Sequence, residues 1–132
     1  MKSTRFFAPL MALALLAIAG CQSVPTSGPI EGDELAQRIA DGNAPVVLDV
    51  RTPQEYATGH IPGAINIPHT EIEARLAELK KFRKTELVVH CRAGGRAAQA
   101  ERVLAAAGFD SIRDLSGHMQ QWRSDGHPVT ND

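Results

Sequence analysis

Cys91 stands where an apolar run, Leu87-Val88-Val89-His90, gives way to a glycine-rich stretch, Arg92-Ala93-Gly94-Gly95-Arg96, and then to an alanine-rich segment. That pattern predicts a thiol at the junction of a strand and a helix. The first amide N–H groups of a helix have no partners within it and carry the positive end of its dipole, so an anion is stabilised there. A thiolate is such an anion, and a nucleophile. Gly94 and Gly95 allow positive φ, which turns loop N–H groups inward to form a concave nest, and Arg92 and Arg96 add positive charge. Both features favour thiolate over thiol.

Other chemistry-bearing residues are sparser. The five histidines include no close pair at metal-ligand spacing, and no metal or cofactor is expected. Formal net charge is -1 with acidic and basic residues interspersed, so nothing marks a nucleic-acid partner. Asp49 ends a second apolar run, Val46-Val47-Leu48. Asp49 and Arg51 read as structural residues that hold the loop or pair with Glu55, and Tyr56 and Trp122 as packing residues. His60 and His69 are expected in turns or at the surface. His90 is next to Cys91 but should point to the opposite face of its strand, which argues against a Cys–His pair.

The N-terminus is set aside before the fold is considered. Lys2 and Arg5 precede an apolar stretch, Phe6 to Ala19, too short to span a bilayer comfortably, and small residues follow, as in an export signal. Ile18-Ala19-Gly20-Cys21 resembles the bacterial lipobox, which implies lipidation of Cys21 after removal of residues 1–20. Several acyl chains would anchor the protein stably to a membrane. Gln22 after that cysteine implies, by the same resemblance, the periplasmic face of an outer membrane. Without its first 20 residues the chain has 112 and a net charge of about -3. Cys91 is then the only thiol, with no intramolecular disulfide possible, and its place in a glycine-rich turn favours exposure.

The elements that must position Cys91 can be read from periodicity. Residues 21–29 form a lipidated N-terminus and tether, its Ser-, Pro- and Gly-rich part (22–29) reaching at most about 26 to 29 Å, and the domain occupies 30–132. Helices are expected over Glu34–Ala40, Thr52–Thr58 (capped by Thr52 with Glu55), Thr70–Phe82 (capped by Thr70), Gly95–Ala107 and His118–Ser124. Strands are expected over Val46–Leu48, Ala64–Ile67, Leu87–His90 and Ser111–Leu115. Apolar strands alternating with helices indicate an α/β fold, a central mostly parallel sheet flanked by helices on both faces. Sites in such sheets gather at the carboxyl ends of strands, which puts Asp49 and Cys91 on one rim.

Two stretches then carry a family resemblance. Leu48-Asp49-Val50-Arg51 through Glu55-Tyr56 to Gly59-His60-Ile61-Pro62-Gly63-Ala64-Ile65-Asn66-Ile67-Pro68, and Val89-His90-Cys91-Arg92-Ala93-Gly94-Gly95-Arg96, resemble a single-domain rhodanese over about Ile30 to Val129. The resemblance implies a rhodanese-like fold and a sulfurtransferase. In it Cys91 attacks the outer sulfur of a donor such as thiosulfate, and residues 92–96, Arg92, Ala93, Gly94, Gly95 and Arg96, bind the substrate. It implies small-molecule sulfur donors and acceptors, with any protein acceptor unidentified. An alternative is a persulfide carrier or partner-binding module with little turnover on small molecules. Cysteine phosphatases place five residues between nucleophile and arginine; here four separate Cys91 from Arg96, a loop too small for a phosphoryl group. Where the family often has Gly-Gly, this chain has Ser116-Gly117-His118, and His118 is expected either to reshape the pocket wall or, the favoured reading, to begin the last helix.

Overall fold

The structure is a computed structural model that describes residues 28–132. The lipobox, Cys21 and most of the tether lie outside the described residues.

Four short strands form the sheet: β1 (Val46–Asp49), β2 (Ile65–Asn66), β3 (Leu87–His90) and β4 (Ile112–Asp114). Their order is β2-β1-β3-β4 and every pairing is parallel, so the expected mostly parallel sheet is wholly parallel among these strands. Helix α1 (Gly32–Ala40) precedes β1, helices α2 (Pro53–Ala57), α3 (Leu76–Leu79) and α4 (Gly95–Ala106) lie in the connections between strands, and α5 (His118–Ser124) follows β4. Strand alternation divides the core in two. Leu48, Val89 and Cys91 face one cluster with Ile72, Leu79, Ala97, Ala100 and Leu104. Val47 and Val88 face the other, with Leu35, Ile61, Met119 and Trp122. A sheet buried on both faces explains why its strands read as continuous apolar runs.

The helix expected over Thr70–Phe82 is broken. A 3₁₀ turn (His69–Glu71) follows Pro68, which makes no side-chain cap, and α3 leads into a second 3₁₀ turn (Lys80–Phe82). Arg75 N–H is shared between the carbonyls of Glu71 and Ile72. Ile72 and Leu79 are nonetheless both buried in one core, so packing of these anchors overrides helix propensity in setting the backbone.

The strand register places the site. Asp49 pairs with His90, so the ends of β1 and β3 lie side by side and the chain leaving each reaches the same rim. At the opposite rim buried Arg113 bonds Glu34, Glu86 and the carbonyls of Gly28 and Pro29. The chain is thereby pinned as it enters the domain.

Candidate active site

Cys91 follows β3 directly, and the six residues from it to Arg96 curl into the start of α4. Gly94 is the hinge of the curl. Its φ of +125° lies where L side chains rarely go, and its N–H points back to the Cys91 sulfur at 3.0 Å. Gly95, expected to share that conformation, is instead the first helical residue and has no positive φ. The inward nest thus presents the Gly94 amide, the one N–H bonded to sulfur among the described residues. Ala98 N–H closes the first helical bond to Gly94 C=O.

The thiol is not exposed as the glycine-rich turn led us to expect. Cys91 is 1% exposed, because strand alternation points it into the core, where Ala97 and Ala100 of α4 pack close. Its carbonyl accepts from Met119 N–H at 3.0 Å, and Arg92 C=O accepts from Gln120 N–H at 3.1 Å. The open N-terminal amides of α5 are thereby satisfied by the loop.

The two arginines differ. Arg96 is bound bidentately by Glu55 at 2.7 and 2.9 Å. That bond, with lesser help from Thr52, holds the Glu55 carboxyl down to about 2 despite partial burial. The Cys91 sulfur and Asp49 also contribute to keeping Arg96 charged. Arg92 is exposed and lines a pocket of about 500 Å³ with Arg51, Glu55, Thr58, Gln120 and Arg123. Ala93, between them on the loop, is exposed as well.

Asp49 and Arg51 are structural as expected, but their partner is not Glu55. Arg51 grips the fully buried Asp49 with contacts of 2.7 to 3.1 Å and reaches Gly59 C=O at 3.0 Å. His90 lies on the far face, its Nδ1 3.2 Å from Cys91 O and its Nε2 3.7 Å from Asp49, with burial pushing its pKa down. His60 departs from the surface position expected of it. It is 2% exposed, stacked on Tyr56 with ring centroids 3.6 Å apart.

Two residues make contacts that the sequence does not indicate. Glu55 was assigned to the wrong arginine, since only the fold brings α2 against α4. His118 does begin α5, but it also lies under the loop, where Nδ1 accepts Cys91 N–H at 3.2 Å. The replacement of an expected glycine was the signal available for it. Among the described residues no group of three or more His, Cys, Asp or Glu is arranged to hold a metal ion.

The Rhodanese-like domain family model matches residues 31–125. A sulfurtransferase from Allochromatium vinosum is 36% identical over 100 residues, which cover 76% of this chain and 92% of its relative. The thiosulfate:glutathione sulfurtransferase of Homo sapiens is 35% identical over 101 residues, 67% of this chain and 87% of the human one. The crystal structure of a rhodanese-related protein from Thermoplasma volcanium superposes with a TM-score of 0.70 at 34% identity, covering 80% of this chain and all of that one. A match over most of the domain, a shared fold and sulfurtransferase relatives at about 35% identity agree with the loop geometry: the chain belongs to the rhodanese-like domain family.

Proposed function

We propose that this protein is a sulfurtransferase that carries sulfane sulfur on Cys91. The observation that carries the reading is the Cys91 sulfur held under its loop by Gly94 N–H at 3.0 Å, at the start of α4. That position stabilises an anion, and both the thiolate and the persulfide are anions.

In the first step the Cys91 thiolate attacks the outer sulfur of a donor such as thiosulfate. A Cys91 S–S bond forms, the donor's S–S bond breaks, and its electron pair leaves with sulfite. In the second step a thiophilic acceptor, cyanide or a thiolate, attacks the outer persulfide sulfur, and the electron pair returns to Cys91. No oxidant is needed and no proton is stranded. Arg92 supplies positive charge beside the loop for an anionic donor, whereas the charge of Arg96 is largely taken up by Glu55. Residues 92–96 form the substrate-binding loop in this reading. The burial of Cys91 suits a small donor.

Thiosulfate-to-cyanide transfer tests the proposal, and Cys91→Ser is expected to abolish it. Intact mass after thiosulfate should show a gain of about 32 Da on the wild type and none on the variant. A serine variant that retained transfer would overturn the assignment. If the mass gain appeared with no turnover to cyanide or small thiols, the domain would be a persulfide carrier for a protein acceptor.

We further infer that the domain is tethered outside the cytoplasm through lipid on Cys21, on the strength of Ile18-Ala19-Gly20-Cys21 and the charged and apolar segments before it. Labelling with a radioactive fatty acid is expected to mark the wild type and not Cys21→Ala, which should leave the membrane fraction.

A further inference from the structure

His118 breaks a local rule. It is the one non-glycine residue among those described with a positive φ, +50°, a region that costs an L-residue although His, like Asn and Asp, enters it several-fold more often than most. It is also buried, at a position where the family resemblance leads one to expect glycine, which would take that φ freely. A strained, buried side chain kept in place of the strain-free residue points to function.

Three contacts say what the ring does. Nδ1 accepts the Cys91 N–H at 3.2 Å. The ring lies against Gly94, where an added Cβ would stand 3.0 Å from Nε2. Nε2 is 3.3 Å from Asp114 Oδ2. Because Nδ1 accepts, the ring proton is assigned to Nε2, facing the Asp114 carboxylate. The geometry points to His118 as a positioning residue for the nucleophile: as the neutral Nε2–H imidazole it anchors the Cys91 amide and backs Gly94, keeping the Gly94 N–H aimed at the Cys91 sulfur.

The proposal rests on the reading of Cys91 as a sulfur carrier. Protonation of Nδ1 would remove the acceptor and set one N–H against another. The groups around the ring are Asp114 from β4, Cys91 and Gly94 from the loop, and His90 from the end of β3, which burial keeps neutral. Behind Asp114 stands Glu101 of α4, pushed up to about 8 first by burial and then by Asp114 itself.

Two variants separate the acceptor from the backbone. His118→Gly adopts the same φ freely but leaves the Cys91 N–H without its acceptor. His118→Asn tolerates the φ and offers Oδ1 close to the place of Nδ1, but does not titrate. Persulfide formation on Cys91 with thiosulfate, followed by mass spectrometry, is expected to slow about ten-fold in His118→Gly. His118→Asn should recover most of that loss. Nitrogen-15 NMR reads the same contact without turnover, through an unprotonated Nδ1 and a Cys91 amide signal that moves in His118→Gly. A His118→Gly protein with the rate of the wild type would overturn the proposal, as would a protonated Nδ1 in the folded wild type at neutral pH. Failure of the wild type to form any persulfide would instead sink the sulfur-transfer reading, with NMR still deciding the role of His118.

Discussion

Reactivity at Cys91 comes from a few atoms whose placement is unforgiving, and Gly94 is the least replaceable of them. Its φ of +125° is strained for any other residue, and a Cβ there would stand 3.0 Å from the ring of His118. Gly94→Ala is therefore expected to cost about 1–3 kcal/mol of stability and to impair persulfide formation more than its mass suggests, because the displaced amide is the one that faces the sulfur. Urea unfolding and a thiosulfate mass assay on one preparation would check both effects; a variant normal in each would show that the loop is softer than its geometry implies. Cys91, its loop and the arginine that closes it can be read directly from the sequence because they are contiguous. The burial of Cys91 cannot, since exposure depends on what packs against the loop. The partners of Arg96 and of Cys91 N–H were equally hidden, lying 41 and 27 residues away.

Short elements here are held by their ends. α2 is five residues long and has no buried residue, yet Thr52 and Glu55 form the reciprocal capping box expected of their spacing. The same Glu55 grips Arg96 at the start of α4, so one carboxylate joins a helix cap to the active loop. Its folded pKa is depressed to about 2 from an ordinary value of 4.5. A depressed carboxylate contributes stability that is fully present above its unfolded pKa and is lost as pH falls through the folded one. Glu55→Gln should thus be less stable than the wild type at pH 7 by about 1 kcal/mol, the pair being partly open to solvent. The difference should fade between about pH 4.5 and 2. Thermal unfolding of both proteins across that range would test this, and a gap independent of pH would reject it. Periodicity located the helices around the loop because their apolar residues recur at helical spacing. It misjudged Thr70–Phe82, where the helical pattern is sound but Ile72 and Leu79 must enter one core from a segment that also turns.

At the scale of the whole molecule, a four-stranded parallel sheet buried on both faces sets two strand ends side by side, and the Cys91–Arg96 loop hangs from that edge. The opposite edge is secured by Arg113, which ties α1, Glu86 and the incoming chain at Gly28 and Pro29 together. Arg113→Ala would leave the Gly28 and Pro29 carbonyls without their donor, while Glu86 keeps Arg38, and should destabilise the domain by about 1–3 kcal/mol without changing the chemistry of Cys91. A denaturation midpoint lowered alongside a normal mass gain with thiosulfate is the expected result; loss of the mass gain in still-folded protein would contradict it. By itself, the sequence determined the α/β alternation, the strand that ends at the nucleophile and the length of the loop. All of these follow from apolar period and from chain-adjacent residues. Only the tertiary structure decided that Arg96 is neutralised by Glu55, that Asp49 is held by Arg51, and that His118 receives the Cys91 amide. The last of these, like the Glu55 contact, depends on how distant segments meet across a shared core, which no local pattern encodes.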